Sequence, residues 1–277
     1  MRDFTQAMEG LGFHSVWLPE HLVFFENYES VYPYAPTPGS SEEHRVPVGK
    51  RPGMYDPLLL AQAIALGTTT LRIGSAVALL PLRHPLLWAR EIATLDHFSN
   101  GRFDFGIGVG WLREEFDALN VPFGTRGRMT DDYLGALRSL WTQEQATHHG
   151  EFVRFTDALS YPKPLQSPYP PIFIGGESDA ALRRVARHGD GWYGWNMTVD
   201  ECEANLARLD AELARVGRNR ADVVVQVGLR HAGSLAELAA MAKGYGRIGV
   251  QRMSVALGIP TSGYEARLRE VAAELLG

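Results

Sequence analysis

The chain has 277 residues, of which 45% are hydrophobic and 21% are charged, and its formal net charge is −5. This composition is typical of a globular protein, and the net negative charge gives no reason to expect nucleic acid or an anionic membrane as a partner. The single cysteine, Cys202, excludes an intrachain disulfide and a cysteine-based metal site. No apolar run reaches the roughly 18 residues of a membrane helix, so we expect a cytoplasmic protein without a signal peptide.

The hydrophobic pattern alternates between helix and strand along the whole chain, beginning with an amphipathic helix that ends near Gly12. Residues 24–55 have no hydrophobic period and are rich in proline and aromatic residues, which indicates a lid or binding loop. Asp56-Pro57 marks the start of the next helix, and residues 150–169 are predicted to form an inserted hairpin. The predicted strands are 15–19, 71–80, 103–110, 171–176, 191–195, 222–229 and 252–257.

Seven buried strands that alternate with eight helices require a parallel sheet, either closed or doubly wound. A closed TIM (β/α)8 barrel has eight strands, and the position without a recognisable strand is the one before the first helix. The pattern leaves both arrangements open. If the sheet closes, residues 1–277 form one α/β domain, a TIM barrel whose N-terminal first strand is absent. Strands 15–19 and 252–257 would then both be edge strands. Their unpaired backbone groups would face the gap left by the missing strand.

Glu20 and His21 follow directly after the first predicted strand. In a parallel α/β barrel the C-terminal ends of the strands form the reactive face. An imidazole at this face can exchange a proton near neutral pH, and a neighbouring carboxylate can tune it. The alternative is a polar strand end that caps the barrel and binds water.

The motif GIGVGW (106–111) does not match a dinucleotide-binding fingerprint, because Trp111 stands where the third glycine is needed. Gly106, Gly108 and Gly110 share one face of a strand, which indicates either a flat ligand above that face or close packing inside the barrel. Trp111, Trp192 and Trp195 lie at or near strand ends. They either pack in the core or form a wall for a planar ligand, and we place Trp111 and Trp195 in a substrate pocket.

The stretch IGGESD (174–179) consists of a strand end, two glycines and a probable N-cap at Ser178. Free amides at a helix N-terminus that follow flexible glycines bind phosphate well. An ordinary strand-to-helix turn is the alternative. No HExxH spacing and no GxSxG elbow occurs, so we predict neither a metal site nor a serine hydrolase.

Taken together, these stretches closely resemble the luciferase-like oxidoreductases, and within them the group that uses coenzyme F420. The resemblance covers nearly the whole chain and implies a TIM barrel with a flavin or deazaflavin at its C-terminal face, a small-molecule substrate and a homodimer. The segments that carry it are GLGFHSVWLPEH, YESVYPYAP, LRIGSAVALLPLRHPLLWAREIATLDHFSNGRFDFGIGVGWLREEF, YPKPLQSPYPPIFIGG and GDGW.

The resemblance also implies roles for individual residues. His21 would be the proton donor beside the cofactor ring, and Glu20 would contact the cofactor. A non-prolyl cis peptide between Ala76 and Val77 would bulge against the ring. The remaining cofactor contacts would come from Leu79, Gly108, Val109 and Gly110 along the ring and from Gly175, Gly176 and Ser178 at the phosphate.

The leading functional hypothesis is hydride transfer between coenzyme F420 and a small organic substrate, with His21 exchanging the proton. An FMN-dependent monooxygenase and a catalytically silent homologue are the alternatives. Sugar-phosphate dehydrogenases of this family place a catalytic glutamate where this chain has Trp111, so that substrate class is not carried over. A cofactor-free phosphosugar lyase or isomerase would need a lysine or paired acids at strand ends, where we identify only Glu20.

Overall fold

The computed structural model of the protein describes residues 2–34, 53–231, 233–257, 259 and 262–276. Residues 35–52, the central part of the predicted lid, lie outside the described residues. In the described part of the chain, no helix is both long enough and apolar enough to cross a bilayer. The α-helices are α1 Arg2–Gly10, α2 Pro57–Gly67, α3 Pro85–Phe98, α4 Arg113–Ala118, α5 Arg126–Thr142, α6 Asp179–His188, α7 Val199–Arg215, α8 Leu235–Arg247 and α9 Tyr264–Leu275.

The strands form one large parallel sheet and one small hairpin. Their bounds are β1 Ser15–Leu18, β2 Arg72–Ser75, β3 Ala78–Leu79, β4 Phe103–Gly108, β5 Ala146–His149, β6 Arg154–Ala158, β7 Ile172–Gly175, β8 Gly191–Trp195, β9 Val224–Arg230 and β10 Arg252–Ala256. The parallel sheet has the order β1-β2-β4-β7-β8-β9-β10, and β3 continues β2 by pairing with β4. The predicted barrel of seven parallel strands is confirmed, and β1 and β10 are its two end strands among the described residues.

Local sequence signals explain where several helices begin. Asp56 caps α2 by accepting hydrogen bonds from the amides of Leu58 and Leu59, and Pro57 occupies the first helical turn. Capping boxes start α7 at Thr198 and α8 at Ser234, each with a glutamate three residues later. The helical region after β4 is divided into α4 and α5.

The barrel interior is filled by large aromatic side chains. The Trp17 ring of β1 packs edge-on against Phe173 of β7, with ring centroids 5.2 Å apart, and lies 5.3 Å from the ring of Tyr193 of β8. At the N-terminal end of the barrel the buried carboxylate of Asp104 accepts from Arg72 at 2.5 Å and from Arg252 at 3.0 Å. This ion-pair cluster joins β2, β4 and β10 across the interior.

The hairpin β5–β6 lies beside α5 and is shifted relative to the predicted hairpin at 150–169. Its first strand includes His148. The Nε2 atom of His148 lies 2.6 Å from the Asp132 carboxylate of α5, and the same carboxylate accepts from the Phe152 amide. Residues 159–171 follow as an irregular segment, so the hairpin ends earlier than predicted.

Candidate active site

Because all seven barrel strands are parallel, their C-terminal ends lie at one end of the barrel. The segment after β1 brings Glu20 and His21 to this end, and the loops after β3, β4, β7 and β8 bring the other predicted site residues. The hydrogen bonds and ring contacts of each residue determine which of these residues meet.

His21 contacts two residues that follow β4. Its Nδ1 atom lies 2.8 Å from Oε2 of Glu115 in α4, and its Nε2 atom accepts from the indole N–H of Trp111 at 3.3 Å. The imidazole is 10% exposed and the Glu115 side chain 1% exposed, so the pair is largely shielded from solvent. Phe24 packs against the same imidazole, with ring centroids 4.9 Å apart. The structure thus joins two predicted residues, His21 and Trp111, to a third that sequence patterning did not identify.

The Glu20 carboxylate has different neighbours from His21. Its Oε2 atom accepts from the Leu79 amide of β3 at 2.6 Å, and its Oε1 atom lies 3.8 Å from the guanidinium of Arg83. Burial raises the pKa of Glu20, and the Leu79 amide and Arg83 oppose this rise only in part. The carboxylate therefore supports the end of β3, and its contact with a cofactor stays a prediction.

The peptide bond between Ala76 and Val77 is cis, as the resemblance predicts. It lies between β2 and β3, and the Val77 side chain sits over two neighbouring strands. A Cβ atom on Gly108 would lie 2.5 Å from Val77 Cγ2, and one on Gly175 would lie 2.9 Å from Val77 Cγ1. Residues 77, 108 and 175, predicted separately, therefore meet at one point of the barrel rim.

Gly106, Gly108 and Gly110, in and just after β4, are open to interpretation either as the floor under a flat ligand or as a site of close packing, and the contacts that a Cβ atom would make at these positions favour close packing for two of them. A Cβ on Gly106 would lie 1.8 Å from the Ser75 carbonyl oxygen, so β2 approaches too closely for any side chain. Position 108 accommodates only glycine unless Val77 shifts, because a Cβ there would collide with Val77. Gly110 has a φ of 80°, and a Cβ there would lie 2.8 Å from Cε2 of Phe116. Close packing within the barrel therefore accounts for Gly106 and Gly108.

Tyr32 connects the two tryptophans predicted to line the substrate pocket. The Tyr32 and Trp111 ring centroids are 5.2 Å apart. Burial raises the pKa of Tyr32, and the neighbouring Trp195 side chain opposes this rise in part. Tyr28 packs edge-on against Trp111. The described part of the predicted lid thus forms an aromatic wall with both strand ends. Trp192, by contrast, is fully buried in the core.

Two further glutamates hold the segment that carries these tyrosines. Glu114 accepts hydrogen bonds from the amides of Glu29 and Ser30 at 2.7 and 3.2 Å. Glu177 accepts from the Tyr34 hydroxyl and from the Trp195 amide, each at 2.9 Å, and burial raises its pKa. These carboxylates lie at the N-terminal ends of α4 and α6 and fasten the segment after β1 to both loops.

The prediction that Glu20 is the only acidic residue at the strand ends was wrong. Glu114 and Glu115 follow β4, and Glu177 follows β7. The signal that could have identified them is a carboxylate within a few residues of a strand end and at the start of a helix, where the helix dipole also favours it. Glu114 and Glu115 were missed because they lie inside α4, several residues beyond β4, and Glu177 was missed because the stretch IGGESD was interpreted as a phosphate site.

The start of α6 offers hydrogen-bond donors for a phosphate. Ser178 caps the helix by accepting from the Ala181 amide at 3.2 Å, which leaves the amides of Asp179 and Ala180 without an intrahelical acceptor. Gly176 has a φ of 108°, a conformation that other residues rarely adopt. Arg208 lies 2.5 Å from the Asp179 carboxylate and brings a positive charge to this helix end. With the aromatic wall and Val77, this donor set fits a ring cofactor with a phosphate.

The sequence of the chain matches a family of known proteins. The model of the luciferase-like monooxygenase family matches residues 1–271. An uncharacterized protein of Mycobacterium tuberculosis is 37% identical over 198 residues, which cover 71% of this chain and 67% of the relative. An FMNH2-dependent dimethylsulfone monooxygenase of Pseudomonas putida is 32% identical over 166 residues, which cover 59% of this chain and 46% of the relative.

The fold also matches solved structures. An F420-dependent secondary alcohol dehydrogenase, solved in complex with an F420–acetone adduct, superimposes with a TM-score of 0.78. The alignment covers 99% of this chain and 94% of the dehydrogenase, at 13% sequence identity. At that identity the likeness concerns the fold alone.

Proposed function

The chain belongs to the luciferase-like monooxygenase family, and on that premise we propose that it is an oxidoreductase that uses coenzyme F420 to transfer a hydride to or from a small organic substrate. The observation that carries this proposal is the His21 imidazole at the C-terminal face of the barrel, held between Glu115 and Trp111. Hydride transfer between an alcohol and a carbonyl requires a group that exchanges a proton, and a histidine in a shielded site suits that task.

The bound cofactor would supply the hydride chemistry. The side chain of Val77 would support its ring, with Glu20, Ala76, Leu79, Gly108, Val109 and Gly110 around that point of the rim. Gly175, Gly176 and Ser178 would hold its phosphate at the start of α6, where free amides and the helix dipole favour an anion. Trp111 and Trp195 would form the wall on which a substrate lies, and residues 22–34 would exclude water.

The nearest alternative is an FMN-dependent monooxygenase. The dimethylsulfone monooxygenase relative supports it, because that enzyme uses reduced FMN and is 32% identical over its matched region. FMN also carries a ring and a phosphate, so the donor set at the start of α6 suits it equally. The histidine beside Trp111 favours F420, since coupled hydride and proton transfer needs a proton-exchanging group at the substrate.

The proposal is tested by mixing the protein with oxidised F420 and a panel of small alcohols without oxygen, and by following the loss of F420 absorbance. We expect at least one alcohol to reduce the cofactor. The His21→Ala variant should lose about 100-fold or more in turnover and should retain F420 binding, because its side chain acts on the proton and not on the phosphate. Turnover unchanged in His21→Ala would refute the role of His21, and substrate oxygenation with FMN would favour the monooxygenase.

A further inference from the structure

Glu115 is a buried carboxylate whose two oxygens serve different purposes. Its Oε2 atom lies 2.8 Å from His21 Nδ1, and its Oε1 atom accepts from the main-chain amide of Leu22 at 2.7 Å and from that of Val23 at 3.3 Å. The amides lie directly after His21 in the chain. Glu115 therefore fixes both the backbone that carries His21 and one nitrogen of its ring.

The hydrogen-bond partners of His21 determine which nitrogen carries the proton. The indole nitrogen of Trp111 can only donate, so His21 Nε2, 3.3 Å away, must accept and carries a lone pair. A neutral imidazole with an unprotonated Nε2 carries its proton on Nδ1. That proton points to the Glu115 carboxylate, which as an ion only accepts. Trp111 thus donates a hydrogen bond to His21, and His21 donates one to Glu115.

We propose that Glu115 is a positioning residue that holds His21 in the neutral Nδ1–H tautomer, so that Nε2 is the atom that exchanges the proton in catalysis. The catalytic part of this inference rests on the proposed function. Oxidation of an alcohol would break its C–H bond, with oxidised F420 as the hydride acceptor, and its hydroxyl proton would move to Nε2. The O–H bond breaks, an N–H bond forms, and the Glu115 carboxylate stabilises the imidazolium.

Trp111 has a defined part in this arrangement. In the structure its indole N–H occupies the Nε2 lone pair that a substrate proton would need. A substrate hydroxyl would therefore displace the Trp111 hydrogen bond when it binds. Tyr28 and Tyr32 pack edge-on against the same indole, so the ring of Trp111 stays in place as a wall after its N–H is released.

The tautomer can be measured directly by nitrogen NMR on protein labelled at histidine with ¹⁵N, without any cofactor. The His21→Ala spectrum identifies the signals of His21. We expect Nδ1 to have the chemical shift of a protonated nitrogen and Nε2 that of an unprotonated one. The reverse pattern at His21 in the wild-type protein would overturn the proposal.

The variant Glu115→Gln tests the cause. The amides of Leu22 and Val23 require an acceptor, so the Gln carbonyl oxygen should face them and the Gln NH2 group should face His21 Nδ1. We expect the His21 tautomer to invert to Nε2–H in the double variant Glu115→Gln/Trp111→Phe, where no indole N–H opposes a proton on Nε2. An unchanged pattern in that double variant would contradict the role of Glu115. Glu114→Gln is the matched control, since Glu114 bonds to residues 29 and 30 and should leave the His21 shifts unchanged.

The substitution Trp111→Phe separates the two partners of His21. It removes the indole donor and keeps an aromatic ring, so Glu115 alone should maintain the Nδ1–H tautomer. Loss of the tautomer in Trp111→Phe would assign the control to Trp111 and overturn the role of Glu115. Because these measurements use no cofactor, a failure here leaves the proposed function open, and a failure to use F420 leaves the tautomer result intact.

Discussion

Glu20 and His21 are adjacent in the chain, but their side chains contact opposite parts of the site. Glu20 accepts the Leu79 amide and approaches Arg83, whereas His21 contacts Glu115 and Trp111. Strand-end position predicted that both residues lie at the reactive face. It could not predict the division of roles, because neither Leu79 nor Glu115 is close to them in sequence. A single sequence shows which residues end a strand but not which distant partners they meet.

Burial of the Glu20 carboxyl has a measurable consequence for stability. Because the pKa of Glu20 is raised in the folded protein, the folded state binds this proton more tightly than the unfolded chain does. The contribution of Glu20 to the free energy of unfolding is therefore largest below the ordinary glutamate pKa and falls as pH rises through the raised pKa. Glu20→Gln, whose amide oxygen can still accept from Leu79, removes this dependence.

We accordingly predict that Glu20→Gln gains stability relative to the wild-type protein when pH rises from about 4.5 to about 7.5. Urea denaturation at both pH values measures the difference, and Glu203→Gln on the exposed side of α7 is the control. A stability difference between Glu20→Gln and wild type that stays constant with pH would show that Glu20 ionises in the folded protein as it does in the unfolded chain.

Among the secondary-structure elements, β2 and β3 are separated by a short break at the rim of the barrel, and neighbouring strands pack against it. Patterning predicted residues 71–80 as one strand, and the structure divides it at Ala76–Val77. The break was predictable from the family resemblance and not from periodicity, because LRIGSAVALL is apolar throughout. The glycines of β4 and β7 were visible in the sequence, but only the structure shows that Val77 is the side chain they accommodate.

This packing predicts the effect of filling the space above Gly108. Gly108→Ala would place a methyl group 2.5 Å from Val77 Cγ2, and we expect it to lower the free energy of unfolding by about 1–3 kcal/mol. In a Val77→Ala background the same change should cost less than half as much, because the opposing methyl groups are gone. Chemical denaturation of the four proteins in this double-mutant cycle measures the coupling.

Gly246→Ala on α8 is the control for this cycle, since a Cβ there meets no other atom within 4 Å. It should leave stability unchanged or raise it by up to about 1 kcal/mol. Strictly additive effects of Gly108→Ala and Val77→Ala would contradict the contact between Val77 and Gly108.

For the whole molecule, the alternation of strands and helices predicted seven buried parallel strands, and the family resemblance predicted that they form a barrel. The alternation is a strong signal because fully apolar strands separated by single helices leave few other topologies. The Asp104 ion pairs with Arg72 and Arg252, which tie β10 to β2 and β4, could not be predicted, since they join residues up to 148 positions apart. The homodimer, the cytoplasmic location and the absence of a nucleic-acid partner stay predictions.

Coenzyme F420 is the proposed ligand of the C-terminal face of this barrel, and cofactor binding tests this proposal most directly. Oxidised and reduced F420 and oxidised and reduced FMN should be titrated against the protein without oxygen, with binding followed by fluorescence. We predict that F420 binds with a Kd at least about tenfold below that of FMN, a difference of about 1.4 kcal/mol. Tighter binding of reduced FMN than of reduced F420 would contradict the proposal and assign the site to the monooxygenase alternative.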